Sequence, residues 1–559
     1  MRFVIGRQSP WAASRHGPPG TQYAAQDRIA GNQSMNPPFS RTLGELIVEQ
    51  AERHGSHPAV ISDQRTLSYA DLAQRAGHVA SVMRARGIRR GDRIGLLVNN
   101  RPEWLEAFFG ASMAGAVIVA FSTWSTRDEL EWLLGDSCVR MLISLDRFMD
   151  HDFAADLQAL VASGRYPGLQ DVELVRHDRA ASLFADIAPA SIPRLPPGEG
   201  ASAVDDAIVI YTSGSSSRPK SVPLSHYGII ENGFNIGERQ GYGPNDRVLL
   251  APPLFWSYGS ANAMSAALTH GATLVLQGRF EAGEAISLIE QHRCTALYTL
   301  PAITSAIVSH PTFKPERTRS LRTGLTIGAP QDILTAANVL GATEICNVYG
   351  QTESYGNCCV TPHDWPLERR AECQGPPLPG VEIRIVDATS GATLPAGEEG
   401  LIEVRGYIMR GYIGSSADQT AIALTDDGFF RTGDMGRLHA DGTISFSGRV
   451  TEMIKKGGIN ISPAEVEDVL MRHDAVALAG VVGVPDRQQG ELLAAFIVAK
   501  PGMQPRRDDI IAHCRTLASR YKVPDFVEIR ETLPVTVTGK LMRRELKQIA
   551  AALSQDRRS

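Results

Sequence analysis

A loop rich in hydroxyl groups follows a run of β-forming residues and ends at a lysine. The run spans Ile208 to Tyr211, and the loop ends at Lys220. Hydroxyls and backbone N–H groups donate hydrogen bonds to anionic oxygens, glycine lets the backbone approach them, and lysine adds a compact positive charge. The pattern therefore predicts a polyphosphate site made of Thr212, Ser213, Gly214, Ser215, Ser216, Ser217 and Lys220.

This loop has two other interpretations. A mobile Ser-rich surface linker has a similar composition and stays open on this stretch alone. A Walker P-loop does not fit, because Pro219 stands where that motif needs glycine. In addition, Ser221-Val222-Pro223 cannot open the regular helix that must follow the lysine. We therefore expect a phosphate site of another kind.

A second candidate segment, Asn347 to Glu353, lies where a predicted strand ends. Open α/β sheets place ligand-binding residues at such ends. An aromatic ring suits an adenine face, a hydroxyl suits a phosphate and a carboxylate suits Mg²⁺, and Tyr349, Thr352 and Glu353 supply these groups. The alternative is an ordinary strand end that carries an exposed glutamate.

Four shorter motifs accompany these segments and complete a family resemblance. They are Gly328-Ala329-Pro330, Thr432-Gly433-Asp434, Gly448-Arg449 and Pro534 to Lys540. All six segments occur in the family order within a stretch from Leu43 to Arg544. Together they resemble the adenylate-forming superfamily, which includes acyl-CoA synthetases, the adenylation domains of peptide synthetases and firefly luciferase.

The resemblance implies a role for each motif residue. It assigns the nucleotide base side to Gly328, Ala329, Pro330, Asn347, Tyr349 and Gly350, the ribose to Asp434 and Arg449, the α-phosphate to Thr352 and Mg²⁺ to Glu353. It also assigns catalysis to Lys540, with Thr352 and Glu353, because the family's last lysine bridges the carboxylate and the α-phosphate. A lysine beside two anionic reactants offsets their repulsion and stabilises charge that develops in the transition state. Taken singly, Asp434 would be a turn residue and Lys540 a solvated charge.

The chain departs from the family pattern at three positions. Ser217 and Ser221 stand where the family usually has glycine. A serine adopts the left-handed conformation that glycine allows only at a cost of about 1–2 kcal/mol. The hinge position, two residues after Arg449, is Thr451 instead of the usual Asp or Lys. These departures support the hypothesis that the protein is a weakly active or non-catalytic homologue of the family.

The segment Pro253 to Gly259 resembles the family's substrate motif. Amino-acid-activating members carry Asp after the Phe to pair with the substrate ammonium, which Trp256 cannot do. Acyl- and aryl-CoA synthetases usually have an aromatic gate there, and acetate-specific relatives have Trp where this chain has Gly350. We therefore expect an open floor and a medium-chain or long-chain fatty acid, or a cyclic or aryl acid. The predicted pocket comprises Phe255, Trp256, Tyr258, Gly259, Gly350 and Tyr355.

The implied reaction is an ATP- and Mg²⁺-dependent acyl-CoA ligation. The enzyme would form acyl-AMP and pyrophosphate, and its C-terminal domain would then rotate so that the Gly457-Gly458 loop lines the channel for coenzyme A. A first alternative passes the acyl group to a separate acyl carrier protein. A second alternative, from a different class, is a non-catalytic acyl or nucleotide sensor.

The elements that position these residues follow from hydrophobic periodicity. Helical and strand patterns alternate from Leu43 onward, which predicts α/β architecture with doubly wound sheets. Residues 146–203 are less regular and are predicted to connect subdomains. Short alternating strands after Gly380 predict a β-rich subdomain, and a small α+β domain is expected at the end of the chain. The expected boundaries are a disordered extension over residues 1–40, an AMP-binding domain over 41–449 and a mobile domain over 450–559.

The composition of the chain limits the classes of partner and the cellular location that we expect. The chain has 559 residues, 43% of them hydrophobic, and a net charge of −5, so no basic excess favours nucleic acid. Its seven cysteines form no CxxC pair, which predicts reduced thiols in a cytoplasmic protein. No segment has the sustained apolar density of a membrane span, so none is expected. Residues 1–34 contain few acidic residues, which leaves a transit peptide or translation from Met35 as alternatives.

Overall fold

The structure is a computed structural model. It describes residues 37–175, 182–185, 191–193, 200–212, 219–450, 452–456, 459–486, 490–518, 520–535 and 541–556. The prediction for residues 1–36 therefore lies outside the described residues.

The described residues form α-helices of 4 to 17 residues. In chain order they are α1 (Leu43–His54), α2 (Tyr69–Ala85), α3 (Pro102–Ala114), α4 (Arg127–Ser137), α5 (Phe153–Ala162), α6 (His226–Gln240), α7 (Ser265–Thr269), α8 (Ala282–His292), α9 (Pro301–Val308), α10 (Pro315–Thr318), α11 (Pro330–Asn338), α12 (Leu367–Glu372), α13 (Thr420–Ala423), α14 (Pro463–Met471), α15 (Arg507–Leu517) and α16 (Arg543–Asp556). A π-helix spans Tyr258–Met264, and 3₁₀ helices span Thr352–Ser354, Gly414–Gln419 and Arg520–Lys522.

The strands of the described residues are numbered in the same way. They are β1 (Pro58–Ile61), β2 (Thr66–Ser68), β3 (Arg93–Leu97), β4 (Val117–Ala120), β5 (Met141–Ser144), β6 (Arg147–Phe148), β7 (His151–Asp152), β8 (Asp171–Leu174), β9 (Asp206–Thr212), β10 (Lys220–Ser225), β11 (Arg247–Leu250), β12 (Thr273–Leu276), β13 (Ala296–Tyr298), β14 (Thr323–Thr326), β15 (Cys346–Tyr349), β16 (Cys359–Val360), β17 (Glu382–Val386), β18 (Glu399–Arg405), β19 (Phe430–Leu438), β20 (Ile444–Arg449), β21 (Ile454–Lys456), β22 (Ile459–Ile461), β23 (Val476–Asp486), β24 (Gly490–Ala499) and β25 (Phe526–Arg530).

Two largely parallel sheets form the bulk of the chain. One has the order β16-β15-β14-β13-β11-β12-β1-β2 and the other β10-β9-β4-β3-β5-β8. Antiparallel pairing occurs only at their edges, in β1–β2, β15–β16 and β9–β10, among the described strands. The central strands are buried on both faces, as continuous apolar runs require when helices cover a parallel sheet. The predicted α/β class is confirmed.

Two smaller sheets follow. The antiparallel sheet β17-β18-β19-β20 occupies the region where short alternating strands were expected. In the last part of the chain, β21 to β25 form a sheet that packs against α14, α15 and α16, around separate apolar clusters that include Val481, Phe496 and Leu546. The domain boundaries stay a prediction.

Local signals set several helix starts as expected. The side chain of Thr126 accepts from the backbone N–H of Glu129, and Ser68 and Asp71 form the same reciprocal cap at α2. Ser462 and Glu465 also stand at the spacing of a capping box, at the start of α14, and the prediction of a cap there is wrong. The Ser462 hydroxyl donates instead to the carbonyl of Ser447, and Glu465 pairs with Lys522 at 2.7 Å.

The segment 146–203 is more ordered than expected where it is described. Helix α5 lies within it, and β8 joins the edge of the second sheet by parallel pairing with β5. Within the ranges that the structure describes, no helix is both long and apolar enough to cross a membrane.

Candidate active site

Two adjacent parallel strands, β14 and β15, deliver the predicted adenine-side residues to one edge of the first sheet. Gly328, Ala329 and Pro330 follow β14, and Pro330 is the first residue of α11. The N–H of Ala329 donates to Asp332 at 2.9 Å. A Cβ at Gly328 would lie 2.4 Å from Asp332 Oδ2, so a larger residue there would displace that carboxylate. Burial raises the pKa of Asp332 to about 6; the hydrogen bond from the Ala329 N–H opposes this shift, and the nearby Asp468 charge contributes to it.

Tyr349, at the end of β15, is bonded to Asp434 on β19. Its hydroxyl donates to Asp434 Oδ2 at 2.9 Å, and its ring stacks on Phe446 with 5.7 Å between centroids. Burial and the Asp434 charge raise the pKa of Tyr349, so the hydroxyl keeps its proton and remains a donor. Arg449, opposite Asp434 in the β19–β20 register, approaches Oδ1 at 3.2 Å. Three of the predicted nucleotide residues therefore meet at one point.

Gln351 was not singled out from the sequence, although it also reaches this point. Its amide donates to Asp434 Oδ2 at 2.5 Å and to the Thr432 carbonyl at 2.9 Å. Gln351 lies inside the Tyr349–Glu353 motif, and this position is the sequence feature that could have identified it. Asn347, by contrast, is fully buried, and its side chain bonds backbone groups of Cys373 and Val348. Its role at adenine stays a prediction.

Thr352 and Glu353 open the 3₁₀ helix that follows β15. The Thr352 hydroxyl lies 2.9 Å from the Ser257 hydroxyl, which joins this motif to the substrate motif. Glu353 is 7% exposed, and its Oε1 accepts from the Tyr412 hydroxyl at 2.9 Å. Its backbone carbonyl accepts from the N–H of Met409 at 2.7 Å.

The two ends of the predicted phosphate loop are held together by strand pairing. Thr212 on β9 lies opposite Lys220 on β10. The Lys220 ammonium lies 4.9 Å from the centre of the Tyr412 ring, within the range of a cation–π interaction. The cost expected at Ser221 is not incurred: this residue lies within β10, opposite Tyr211, and has no positive φ.

An apolar pocket of about 270 Å³ contains residues of the predicted substrate motif in its wall. Its walls include Trp124, Phe148, Phe255, Trp256, Leu300 and Val535. The Trp124 ring meets Phe255 edge-on at 5.3 Å and Trp256 edge-on at 5.2 Å, a favourable geometry for aromatic pairs. None of the described residues predicted for the nucleotide lines this pocket.

The structure divides the predicted acid-pocket residues into two groups. Phe255 and Trp256 line the apolar pocket, whereas Tyr258 and Tyr355 do not. The Tyr258 hydroxyl is bonded to the carbonyls of Thr299 and Leu325. The Tyr355 hydroxyl lies 2.8 Å from the Ser225 hydroxyl.

The two glycines of the predicted pocket lie against backbone. A side chain at Gly259 would lie 2.1 Å from the Pro253 carbonyl oxygen. A side chain at Gly350 would lie 2.5 Å from the Gly356 carbonyl oxygen and 2.6 Å from Asn357 Cα. The backbone of residues 356–358 therefore leaves no room for a side chain at Gly350, and the open floor expected there stays a prediction.

Several predicted residues lie outside the described residues. They are the central phosphate-loop residues Ser213, Gly214, Ser215, Ser216 and Ser217, the hinge Thr451, the channel glycines Gly457 and Gly458, and the catalytic Lys540. Val535 and Leu541, on either side of the last motif, are described and form an isolated antiparallel bridge.

Comparison with known proteins decides the family. Residues 47–413 match the family described as AMP-binding enzyme, and residues 465–540 match the AMP-binding enzyme C-terminal domain. The chain belongs to the AMP-binding enzyme family. The predicted adenylate-forming relationship is confirmed.

Relatives of this AMP-binding enzyme cover almost its whole length. A feruloyl-CoA synthase of Amycolatopsis sp is 33% identical, with 90% of this chain and 98% of the relative covered. The putative acyl-CoA synthetase YngI of Bacillus subtilis (strain 168) is 30% identical, with 91% and 96% covered. Among solved structures, an anthranilate CoA ligase in complex with anthranoyl-AMP matches with a TM-score of 0.81 and 26% identity, over 93% of this chain and 99% of that chain.

Two contact residues of this AMP-binding enzyme were missed by sequence reasoning. Trp124 follows β4, and Tyr412 lies between two glycines with positive φ, Gly411 and Gly414. An aromatic residue next to a glycine in a polar loop was the only signal at Tyr412. Their partners are distant in sequence, so periodicity carries no information about these contacts.

Proposed function

We propose that this protein activates a carboxylic acid with ATP and transfers the acyl group to coenzyme A. The family membership and the relatives named as acyl-CoA synthetases support this acid–thiol ligase activity. The observation that carries it is the 2.9 Å contact between the Ser257 and Thr352 hydroxyls, because Thr352 belongs to the motif of Tyr349, and Trp256, the residue before Ser257, lines an apolar pocket. Val535, five residues before Lys540, lies in the wall of the same pocket.

In the first half-reaction, a carboxylate oxygen bonds to the α-phosphorus of ATP as the bond to pyrophosphate breaks. Both reactants are anionic, so cations beside the reacting oxygens lower the barrier. We assign this work to Lys220 and Lys540, with the Thr352 hydroxyl on the α-phosphate. In the second, the sulfur of the thiol bonds to the acyl carbon, AMP leaves and the thiol proton passes to solvent.

Glu353 fits a Mg²⁺ ion that arrives with the nucleotide. Its carboxylate is buried, and Oε2 accepts no hydrogen bond from the described part of the chain. No cluster of three or more His, Cys, Asp and Glu side chains suited to a metal occurs within the described residues. Mg²⁺ is commonly held by one or two carboxylates together with substrate phosphates, which matches this arrangement. When bound, it would neutralise charge on the phosphates.

We assign the apolar pocket to the approach of the thiol arm, with Trp256 as the gate. Trp256 lines the pocket, and Ser257, the next residue, contacts the predicted α-phosphate residue Thr352. Val535 is part of the wall, so movement of the C-terminal region would change the opening. The acid then lies on the Thr352 side of Trp256.

The acid class is a medium-chain or long-chain fatty acid, or a cyclic or aryl acid. Trp256 cannot pair with an ammonium group, which disfavours α-amino acids. The names of two relatives, a feruloyl-CoA synthase and an anthranilate CoA ligase, favour aryl acids for the first trials. A cytoplasmic location remains a prediction from cysteine usage.

One assay tests the function and its alternatives. ATP–pyrophosphate exchange is measured over a panel of medium-chain, long-chain and aryl acids, and the product is then captured with coenzyme A or with an acyl carrier protein. We expect exchange with one acid class and a coenzyme A thioester. Exchange followed only by carrier loading would favour the carrier-loading enzyme. No exchange with any acid would favour the non-catalytic sensor.

A further inference from the structure

Tyr412 contacts both of the charged side chains predicted to handle the polyphosphate and its metal ion. Its hydroxyl donates to Glu353 Oε1 at 2.9 Å, and its ring lies 4.9 Å from the Lys220 ammonium. The residue is 6% exposed, so both contacts are shielded from water.

The backbone around Tyr412 is bonded to Glu353 and to Ser221, the residue after Lys220. The N–H of Met409 donates to the Glu353 carbonyl at 2.7 Å, and the N–H of Ile413 donates to the Ser221 carbonyl at 3.2 Å. The Tyr412 N–H itself donates to Thr420 Oγ1 at 2.9 Å. The ring is therefore fixed between the lysine strand and the glutamate turn.

As a result, the two carboxylate oxygens of Glu353 differ in their hydrogen bonding. Oε1 is engaged by Tyr412, whereas Oε2 accepts no hydrogen bond from any residue that the structure describes. Mg²⁺ requires a near-octahedral shell of single oxygens, whereas Ca²⁺ readily takes both oxygens of one carboxylate. A carboxylate with one oxygen already occupied suits the smaller ion.

We propose that Tyr412 is a positioning residue that prepares Glu353 to bind the nucleotide's Mg²⁺ through one oxygen and holds Lys220 beside it for the phosphates. The hydroxyl performs the first task and the ring performs the second. This inference rests on the proposed function, because it assumes that Glu353 and Lys220 meet MgATP.

Two substitutions separate the two tasks. Tyr412→Phe keeps the ring over Lys220 and removes the bond to Glu353, whereas Tyr412→Leu removes both contacts. Tyr407→Phe is the matched control, because Tyr407 lies on the same segment and its hydroxyl is bonded to Tyr227. Affinities for ATP are measured by titration calorimetry with EDTA, with Mg²⁺ or with Ca²⁺, in the absence of acid and coenzyme A.

The factor by which Mg²⁺ strengthens ATP binding should be about tenfold smaller in Tyr412→Phe than in the wild type, because a hydrogen bond to a charged group is removed. It should bind metal-free ATP within twofold of the wild type and discriminate less between Mg²⁺ and Ca²⁺. Tyr412→Leu should bind even metal-free ATP about threefold to tenfold more weakly, because the cation–π contact is lost. Tyr407→Phe should match the wild type throughout.

Three results would overturn the inference. They are an unchanged Mg²⁺ response in Tyr412→Phe, equal metal-free affinities for the Phe and Leu variants, and a loss in Tyr407→Phe as large as that in Tyr412→Phe. Thermal unfolding of each variant identifies a folding defect, and the isosteric Phe variant alone decides the metal part. If the wild type binds no ATP, the proposed function itself is wrong. If the wild type catalyses acid-dependent pyrophosphate exchange, a negative result with the variants contradicts only the role of Tyr412.

Discussion

The hydroxyl of Tyr349 donates to the carboxylate of Asp434 at 2.9 Å, across 85 residues of sequence. This bond joins the end of a strand in the large parallel sheet to a strand of the smaller antiparallel sheet. The predicted nucleotide residues therefore lie at a junction between two sheets, and their geometry depends on how the sheets pack.

Removing that bond should weaken nucleotide binding more than it weakens the chemical step. Tyr349→Phe keeps the stack on Phe446 and leaves Asp434 with one donor fewer. We expect KM for ATP to rise about tenfold in pyrophosphate exchange, with kcat nearly unchanged. Tyr166→Phe, which loses a hydroxyl bonded to the Glu131 carbonyl, is the control. A fall in kcat at constant KM would argue against a binding role.

Lys540→Ala should separate the two half-reactions. We expect acyl-AMP formation to fall by about 100-fold or more, since one preorganised charge at the reacting oxygens is lost. Conversion of supplied acyl-AMP with coenzyme A should be largely spared. Arg544→Ala, at an exposed basic residue four positions later, should leave both steps intact. Equal loss of the two steps in Lys540→Ala would contradict a mechanism with two conformations.

Trp124→Ala should impair thiol binding while leaving acid activation intact. The indole packs edge-on against both Phe255 and Trp256, so its removal opens the pocket and frees the gate. We expect KM for coenzyme A to rise about tenfold, and KM for the acid in thiol-free exchange to stay within twofold. Trp365→Ala, at a tryptophan stacked on Arg369, controls for loss of an indole elsewhere. The reverse pattern, with only the acid KM raised, would place the acid in this pocket.

His226 should make folding stability sensitive to acid. Burial lowers the pKa of this histidine to about 4 from its ordinary 6.5, and the neighbouring Asp205 opposes the shift. Between pH 6.5 and 4 the unfolded chain therefore binds a proton that the folded chain refuses. Stability falls as the pH falls through this window, by up to about 1.4 kcal/mol per pH unit. The melting temperature of the wild type should fall more steeply from pH 6.5 to 5 than that of His226→Gln, with His310→Gln behaving as the wild type.

Much of the fold could be predicted because its signals are local. Apolar runs of strand length alternate with amphipathic stretches, and capping residues such as Thr126 mark helix starts. The box at Ser462 failed because a tertiary partner, the Ser447 carbonyl, took the hydroxyl. Strand β8 was missed because its four residues, all half-buried at a sheet edge, carry no strong period.

The residues of the candidate site could also be predicted only in part from the sequence. Tyr349, Thr352, Glu353 and Asp434 were identified from their motifs, and the structure brings Tyr349 and Asp434 into contact. The chain alone could not reveal that Tyr412 would lie between Glu353 and Lys220, since these contacts join separate elements.

The sequence by itself determined the α/β class, the order of the motifs and the family, because each depends on residue types at short and regular spacings. Only the tertiary structure decided that Gly350 faces backbone, that Trp124 and Trp256 line one apolar pocket, and that Tyr412 bridges the lysine and the glutamate. Such relations depend on the packing of whole sheets, where one ångström decides whether two distant side chains meet, and local patterns do not encode that distance.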